Sequence, residues 1–212
     1  MKKILVLAFC LAPSLFFSTL WLPAQQRKPE ITIKDINVKL EGSPRYELLE
    51  KSLQPASGKW VVIEAELEST PEWVNEATVT FYVAANYGAN TKAYAPPDKY
   101  DILTASVTIV NMPGNVGSGN KNIVPMFIDS RTVKKYDQGN LQSLIPQVAV
   151  QVMYGGTLQH IKWWKKALGE VRFWEQKEPR RGVLLNLSQS PWWPAYGEDY
   201  VQVKPQASQP AL

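Results

Sequence analysis

Three glutamates on one predicted strand are the first residues in this sequence whose type and spacing could do chemistry. Glu64, Glu66 and Glu68 alternate with apolar residues, so a period of two places the three carboxylates on the same strand face. Same-face neighbours lie about 7 Å apart along a strand, and paired carboxylates at such spacings hydrolyse glycosides when they flank a cleft. Because nothing in the sequence marks a cleft, a solvated outer face is the preferred interpretation.

His160 is the only histidine of the chain, which leaves few ways to build a catalytic or metal site. It could join a Ser-His-Asp triad only if distant residues converged on it, and the predicted strand pattern places it on the solvent face. The sequence contains no nucleophile elbow, P-loop, HExxH or EF-hand motif. We therefore expect a protein that is not an enzyme and that has no cofactor and no metal.

The segment from His160 to Arg181 is rich in basic and aromatic residues, a combination that can bind nucleic acid, acidic glycans or anionic lipid. A second aromatic motif, SPWWPAYG, could form a platform for sugar rings, although an apolar plug at one end of a sandwich is the favoured interpretation. Both segments contribute to one candidate interaction surface. Its residues are Trp174, Trp192, Trp193, Lys162, Lys165, Lys166 and Arg172.

Residues 1–24 have the pattern of a secretory signal peptide. Two lysines precede an apolar run from Ile4 to Leu22, and cleavage is expected between Ala24 and Gln25. We expect a secreted, outer-surface or periplasmic protein, with the membrane involved only if the segment is kept as an anchor. Cys10 is the only cysteine and lies in this segment, so the mature chain must be stabilised without disulfides. Cleavage also lowers the formal charge of +4 by two lysines, which argues against a nucleic-acid partner.

The stretch Lys59–Ala85 predicts a long β-hairpin at the centre of the domain. Apolar and polar residues alternate on both sides of the turn TPEWVN, and β-branched and aromatic types dominate. A second hairpin is predicted around Gly155-Gly156, with strands Gln147–Tyr154 and Thr157–Trp164. A simple two-residue turn pairs Val152 with Gln159 and directs Trp163 into the core.

Further elements complete the predicted domain, which spans residues 25–203 and is followed by a disordered tail over 204–212. The additional strands are Ile31–Leu40 with a bulge at Lys34-Asp35, Asp101–Val110, Ile123–Ile128 with Pro125 marking an edge or bulge, Gly169–Glu175, Gly182–Leu187 and Tyr200–Val203. Short helices are predicted after Ser43-Pro44 and over Ser130–Asp137. Seven strands or more without a long helix predict an all-β, immunoglobulin-like antiparallel sandwich with one or two short helices in its connections.

The order of several short motifs resembles a family of secreted immunoglobulin-like proteins of Verrucomicrobia. The motifs are KWVVIEAELES, PEWVNEATVTFYV, VPMFIDSRTVKKY, VQVMYGG, RFWEQ and GVLLNLSQSPWWPAYGEDY. The chain most resembles the member encoded in the type IV pilus-like gene cluster of Akkermansia. The resemblance implies an immunoglobulin-like fold and a pilus-associated role outside the cell, and it brings no catalytic residues. Because the N-terminus lacks a Gly-Phe processing site followed by a glutamate, an accessory protein is expected rather than a polymerising pilin.

These observations predict a non-enzymatic secreted or cell-surface protein, associated with a type IV pilus-like assembly or adhesion system. Its expected partners are other surface or pilus-associated proteins, bound through the exposed edge of the first strand or of the strand containing Pro125. The alternative is a carbohydrate-binding module that uses exposed tryptophans.

Overall fold

A computed structural model describes residues 30–204 except 45, 49–50, 54–57, 71–72, 87–98, 115–120, 137–139 and 166–171. The predicted signal peptide, tail residues 205–212 and Lys166 lie outside this part of the chain. The described residues form an antiparallel β-sandwich, as the sequence predicts. The strands are β1 Glu30–Gly42, β2 Tyr46–Leu48, β3 Lys51–Leu53, β4 Lys59–Thr70, β5 Val74–Asn86, β6 Tyr100–Met112, β7 Asn122–Ile128, β8 Gln147–Tyr154, β9 Thr157–Trp164 and β10 Leu184–Leu185.

Two four-stranded sheets face each other across one core. The first sheet has the strand order β1-β4-β7-β10 and the second has the order β6-β5-β8-β9. Alternating residues of both sheets fill the space between them, and Val61, Ile63, Phe81 and Val150 are fully buried there. With its second and third long strands in opposite sheets, this arrangement is that of an immunoglobulin-like sandwich.

The predicted central hairpin is wrong in its pairing, although both of its strands exist. β4 pairs with β1 and β7, whereas β5 pairs with β6 and β8. The chain therefore crosses from one sheet to the other between Thr70 and Val74. Both strands carry one apolar face, and these faces meet across the core instead of lying side by side in one sheet. The alternation of apolar and polar residues determines which face of a strand is buried, but it does not determine which strand pairs beside it. The predicted pairing of β4 with β5 was wrong for this reason.

The first strand has the predicted bulge. Its register against β4 shifts between Ile33 and Asp35, so Ile33 pairs with Leu67 and Ile36 with Ala65. Ile31, Ile33, Ile36 and Val38 are all buried because the extra residue resets the alternation.

The second hairpin has the predicted strands and turn, but its register differs by one residue. Gly155 and Gly156 have φ angles of +56° and +74°, which a two-residue hairpin turn requires. Beyond the turn, the register shifts so that Val152 pairs with His160 instead of Gln159. This bulge in β9 turns the following side chains to the opposite faces: Trp164 packs against the main core, and Trp163 packs on the outer side of the sheet.

The helices and short connections agree only in part with the sequence predictions. Helix α1, Ser130–Lys135, is confirmed; α2, Leu141–Leu144, and α3, Trp193–Tyr196, are further short helices. The helix predicted after Ser43 is wrong, because β2 and β3 pair as a small hairpin there. Over so few residues, the spacing of apolar side chains does not distinguish the period of a helix from that of a strand. The strand predicted to end at Glu175 is also wrong in its described part, which is a 3-10 turn over Phe173–Glu175.

The segment after β9 closes the side of the sandwich between β6 and β7. Arg180 bonds to the backbone of β6, and β10 then pairs with the end of β7. Farther along, Val201 donates to the carbonyl of Ile123 in β7, while Gln202 accepts from Val110 in β6. The N–H and C=O of Ile123 therefore point away from β4. Because residues two apart in a strand direct their backbone groups to the same side, the position where Pro125 lacks an N–H also faces away from β4. The predicted edge strand or bulge at Pro125 is wrong, because β7 lies between β4 and β10 with a continuous register against β4. Proline is tolerated there because β10 pairs only with Phe127 and Ile128, so no strand needs the N–H of Pro125.

Candidate functional site: a groove at one end of the sandwich

Trp192, a member of the predicted interaction surface, is buried on the outer side of the first sheet. Its ring stacks on Phe127 with 5.0 Å between centroids and meets the edge of Trp60 at 5.5 Å. Only 6% of the residue is exposed, so it acts as a plug and offers no platform to a sugar. The cause is the apolar patch that Trp60, Val62 and Phe127 form on this face.

Trp174 is buried in the same way on the outer side of the second sheet. It lies parallel to Tyr82 with 4.4 Å between ring centroids, and 7% of the residue is exposed. Phe173 and Trp163 belong to the same apolar cluster. The two buried tryptophans therefore cover opposite outer faces of the sandwich, and Trp193, 52% exposed, is the remaining tryptophan of the predicted surface that solvent reaches.

The basic members of the predicted surface contact other parts of the same chain. Lys162 donates from Nζ to the backbone carbonyl of Lys34 in β1. Lys165 lies over the ring of Trp164, 4.7 Å from its centroid, and Arg172 pairs with Glu175 at 3.1 Å. The six described members thus lie at separate places on the sandwich, and the structure does not bring them together into one surface.

Two further basic residues of this region hold a buried carboxylate. Asp101 is fully buried at the start of β6, and Arg180 Nη1 lies 3.1 Å from its Oδ2. The hydroxyl of Tyr136 donates to the same oxygen at 2.6 Å, and Lys177 Nζ lies 3.8 Å from Oδ1. This cluster anchors the segment after β9 to the second sheet.

His160 does not point outward, and this correction follows from the bulge in β9. Its Nδ1 accepts a hydrogen bond from the backbone N–H of Ile33 at 3.0 Å. Partial burial, together with the charge of Lys162, lowers the pKa of His160 below its ordinary value, against the opposing effect of Glu30. The neutral imidazole is the form that accepts this bond. With Lys162 bound to Lys34, β9 side chains occupy two backbone groups on the outer edge of β1.

The glutamates of β4 are engaged in ion pairs and hydrogen bonds on the outer face of the first sheet. Glu64 lies 3.3 Å from Lys39 Nζ and accepts from the hydroxyl of Tyr200 at 3.2 Å. Lys34 Nζ lies 2.8 Å from Glu68 and 3.5 Å from Glu66. The predicted solvated face is only partly correct, because the side chains of Glu64 and Glu66 are 14% and 17% exposed. All three carboxylates are held by cations of the neighbouring strand.

A groove of about 760 Å³ opens at the end of the sandwich where β4 leads into β5. The sequence does not reveal this groove, because its walls come from four separate stretches of the chain. One signal was available: a tryptophan, Trp73, within a predicted turn, where polar residues are usual. The lining residues are Trp73, Asn111, Pro113, Lys121, Asn122, Ile123, Glu198, Asp199, Tyr200, Val201 and Gln202.

The groove combines one exposed ring with several polar groups. Trp73 is 56% exposed, and Asn111 has a φ of +53°, in the left-handed region that asparagine tolerates better than most residues. Burial and the neighbouring Glu64 carboxylate raise the pKa of Tyr200, so its hydroxyl stays protonated as a donor. The arrangement can bind a ligand that has both an apolar face and hydroxyl groups.

Metal-ligating residues do not cluster within the described ranges: no three or more histidines, cysteines or acidic residues there are placed to hold an ion. None of the helices in those same ranges is both long and apolar enough to span a membrane.

Fold and sequence together define an all-β protein of the immunoglobulin-like sandwich class. A protein-family model matches residues 22–207, most of the chain, and the protein belongs to the family that this model describes. The chain is also similar to a solved structure from Akkermansia muciniphila, with a TM-score of 0.65 and 17% identity over 85% of this chain and 95% of the other. This likeness is one of fold, and it agrees with the resemblance to proteins of Verrucomicrobia. Among curated proteins, no relative matches the chain.

Proposed function

We propose that this protein is a non-enzymatic protein of the cell surface or periplasm that acts by binding other envelope proteins, in a type IV pilus-like assembly or in adhesion. The observation that carries this proposal is that side chains able to act as acids or bases form structural contacts within the chain. Glu64 binds Lys39 and Tyr200, and His160 binds the backbone of β1. Groups engaged in this way stabilise a scaffold whose activity lies in its surface.

A location outside the cytoplasm is supported by residues 1–24, which have the pattern of a secretory signal peptide. With Cys10 removed by signal cleavage, the mature chain relies on packing. Two outer-face clusters and the segment that bonds to both β6 and β7 add to the central core. The pilus-like context rests on the motif order that resembles the Akkermansia protein.

Helix α3 offers a surface suited to a protein partner. Trp193 is 52% exposed and Tyr196 is 44% exposed, and both lie in the same short helix. Large aromatic side chains dominate the binding energy of many protein interfaces. The free side of β1 and the side of β7 that faces away from β4 are partly occupied by groups of the chain itself, so we place the contact on side chains instead of strand addition.

A pull-down from the native cell envelope tests this function. The mature protein, starting at Gln25, is the bait, and captured proteins are identified by mass spectrometry. We expect enrichment of pilus-like or secretion components over an unrelated sandwich of equal charge, and reduced capture by Trp193→Ala combined with Tyr196→Ala. Capture of none of these components, or a hydrolytic activity of the purified protein that one substitution abolishes, would contradict the proposal.

A further inference from the structure

We propose that the groove at the end of the sandwich binds a neutral carbohydrate, with Trp73 stacking on the sugar ring and Asn111, Glu198 and Asp199 hydrogen-bonding its hydroxyls. This is a separate activity from the binding of envelope proteins, and its residues differ from Trp193 and Tyr196 of α3, although Glu198 and Asp199 directly follow that helix. It also places the glycan site away from the three tryptophans that the sequence suggested.

Trp73 supplies the apolar component of the site. It is 56% exposed, the largest exposed fraction among the large apolar side chains that the structure describes as exposed. A single exposed apolar residue is ordinary on a protein surface. Trp73 differs because it lines a groove together with several polar side chains, and sites for small molecules combine an apolar or aromatic surface with a few placed polar groups. The C–H face of a sugar ring is the matching apolar surface.

The polar component comes from other residues of the groove lining. Glu198 and Asp199 are adjacent exposed residues of the 3-10 turn that follows α3, and both line the groove. A carboxylate accepts from two hydroxyls at once, and an amide such as that of Asn111 both donates and accepts. Vicinal sugar hydroxyls need this combination of acceptors and donors.

The wall that carries the carboxylates is held in place before any ligand binds. Val201 N–H bonds to Ile123 O at 3.1 Å, and Gln202 O accepts from Val110 N–H at 2.9 Å. The Tyr200 hydroxyl is fixed on Glu64 at 3.2 Å. These bonds tie the wall to both sheets, and a preorganised site loses less conformational entropy on binding.

The charge of the groove selects against acidic glycans. Glu198 and Asp199 stand against one lysine, Lys121, whose Nζ lies 3.5 Å from Glu66 outside the groove lining. The net charge of the groove lining is therefore negative, and it repels a glycan that carries negative charge. A neutral hexose or N-acetylhexosamine fits this field, whereas a sialylated or sulfated glycan does not.

A glycan microarray with neutral, sialylated and sulfated members tests the proposal, using the mature chain from Gln25. We expect retention of neutral glycans, with the best one then titrated by ligand-observed NMR. Trp73→Ala should weaken its binding by about tenfold or more. Leu158→Ala is the control, since Leu158 is an apolar residue that is 40% exposed and lies outside the groove lining; it should leave binding unchanged.

The double variant Glu198→Gln with Asp199→Asn decides the outcome if Trp73→Ala fails to fold, because both side chains are exposed. It should weaken binding of the neutral glycan without changing the unfolding midpoint. Retention of no neutral glycan, preference for sulfated or sialylated ones, or binding insensitive to the groove variants overturns the proposal. The pull-down result is independent of this one, so each proposal can fail alone.

Discussion

The backbone N–H of Ile33 donates to Nδ1 of His160 across 3.0 Å and so links the two sheets at their edges. Ile33 belongs to β1, at the edge of the first sheet, and His160 belongs to β9, at the edge of the second. The bond exists because both strands contain a bulge near this point. It closes the side of the sandwich opposite to the one closed by β10 and Val201.

Stability should depend on pH through His160. Its folded pKa is lowered by burial first and by Lys162 second, with Glu30 opposing. Above pH ~6.5 the folded and unfolded chains both hold a neutral imidazole, and the contribution is complete. As the pH falls below that value the unfolded chain takes up a proton that the folded chain refuses, so the free energy of unfolding decreases until the folded pKa is reached.

Two substitutions of His160 separate the stability contributed by its hydrogen bond from the pH dependence caused by its protonation. His160→Gln keeps an acceptor and should retain most stability while losing the pH dependence, whereas His160→Leu should also lose about 1 kcal/mol at pH 8. Urea unfolding from pH 5 to 8 measures both effects, and NMR of the single histidine reports its pKa directly. Equal pH dependence in wild type and His160→Leu would refute the assignment.

Trp192 and its neighbour Trp193 should respond very differently to truncation. Trp192→Ala removes a ring packed between Trp60 and Phe127 and should cost about 3–5 kcal/mol of unfolding free energy. Trp193→Ala changes a half-exposed side chain and should stay within about 0.5 kcal/mol. Urea unfolding followed by circular dichroism compares them; equal losses would show that Trp192 is no plug.

Arg180 should stabilise the domain although its side chain is half exposed. Arg180→Ala removes the closest cation from the fully buried Asp101, which costs about 1–3 kcal/mol because a buried charge loses a partner. Arg181→Ala is the control, since this exposed neighbour should change the stability by less than about 0.5 kcal/mol. Thermal and urea unfolding measure the difference. A similar small effect of both substitutions would contradict the role given to Arg180.

The turn of the second hairpin should tolerate asparagine but not a branched residue. Gly155→Asn keeps a residue that adopts positive φ and should be nearly neutral. Gly156→Val forces a β-branched residue to φ +74° and should cost about 1–2 kcal/mol. Urea unfolding of the two variants tests this, and a Gly156→Val protein as stable as wild type would argue against the turn geometry.

The sequence predicts most of the strands because each depends on local alternation. The bulge at Asp35, the turn at Gly155-Gly156 and the buried faces of β4 and β5 all follow from the order of neighbouring residues. Motif order also identified the resemblance to Verrucomicrobia proteins, with which the solved Akkermansia structure agrees.

Which strands pair with one another does not follow from local alternation, and the tertiary structure decided it. Whether β5 lies beside β4 or across from it depends on how all the strands share one core, and alternation is the same in both cases. The bulge at Gln159 likewise has no local signature, yet it turns His160 toward β1 and Trp163 away from the core.

The candidate site depends on the tertiary structure most of all. The apolar outer-face patches that bury Trp174 and Trp192 arise only when strands distant in sequence lie side by side. The groove forms where the β4–β5 crossing, the end of β6, the start of β7 and residues 198–202 meet. Local sequence fixed the strands and their buried faces, because alternation acts between neighbours; the site needed the fold, because its residues are joined only through long-range packing.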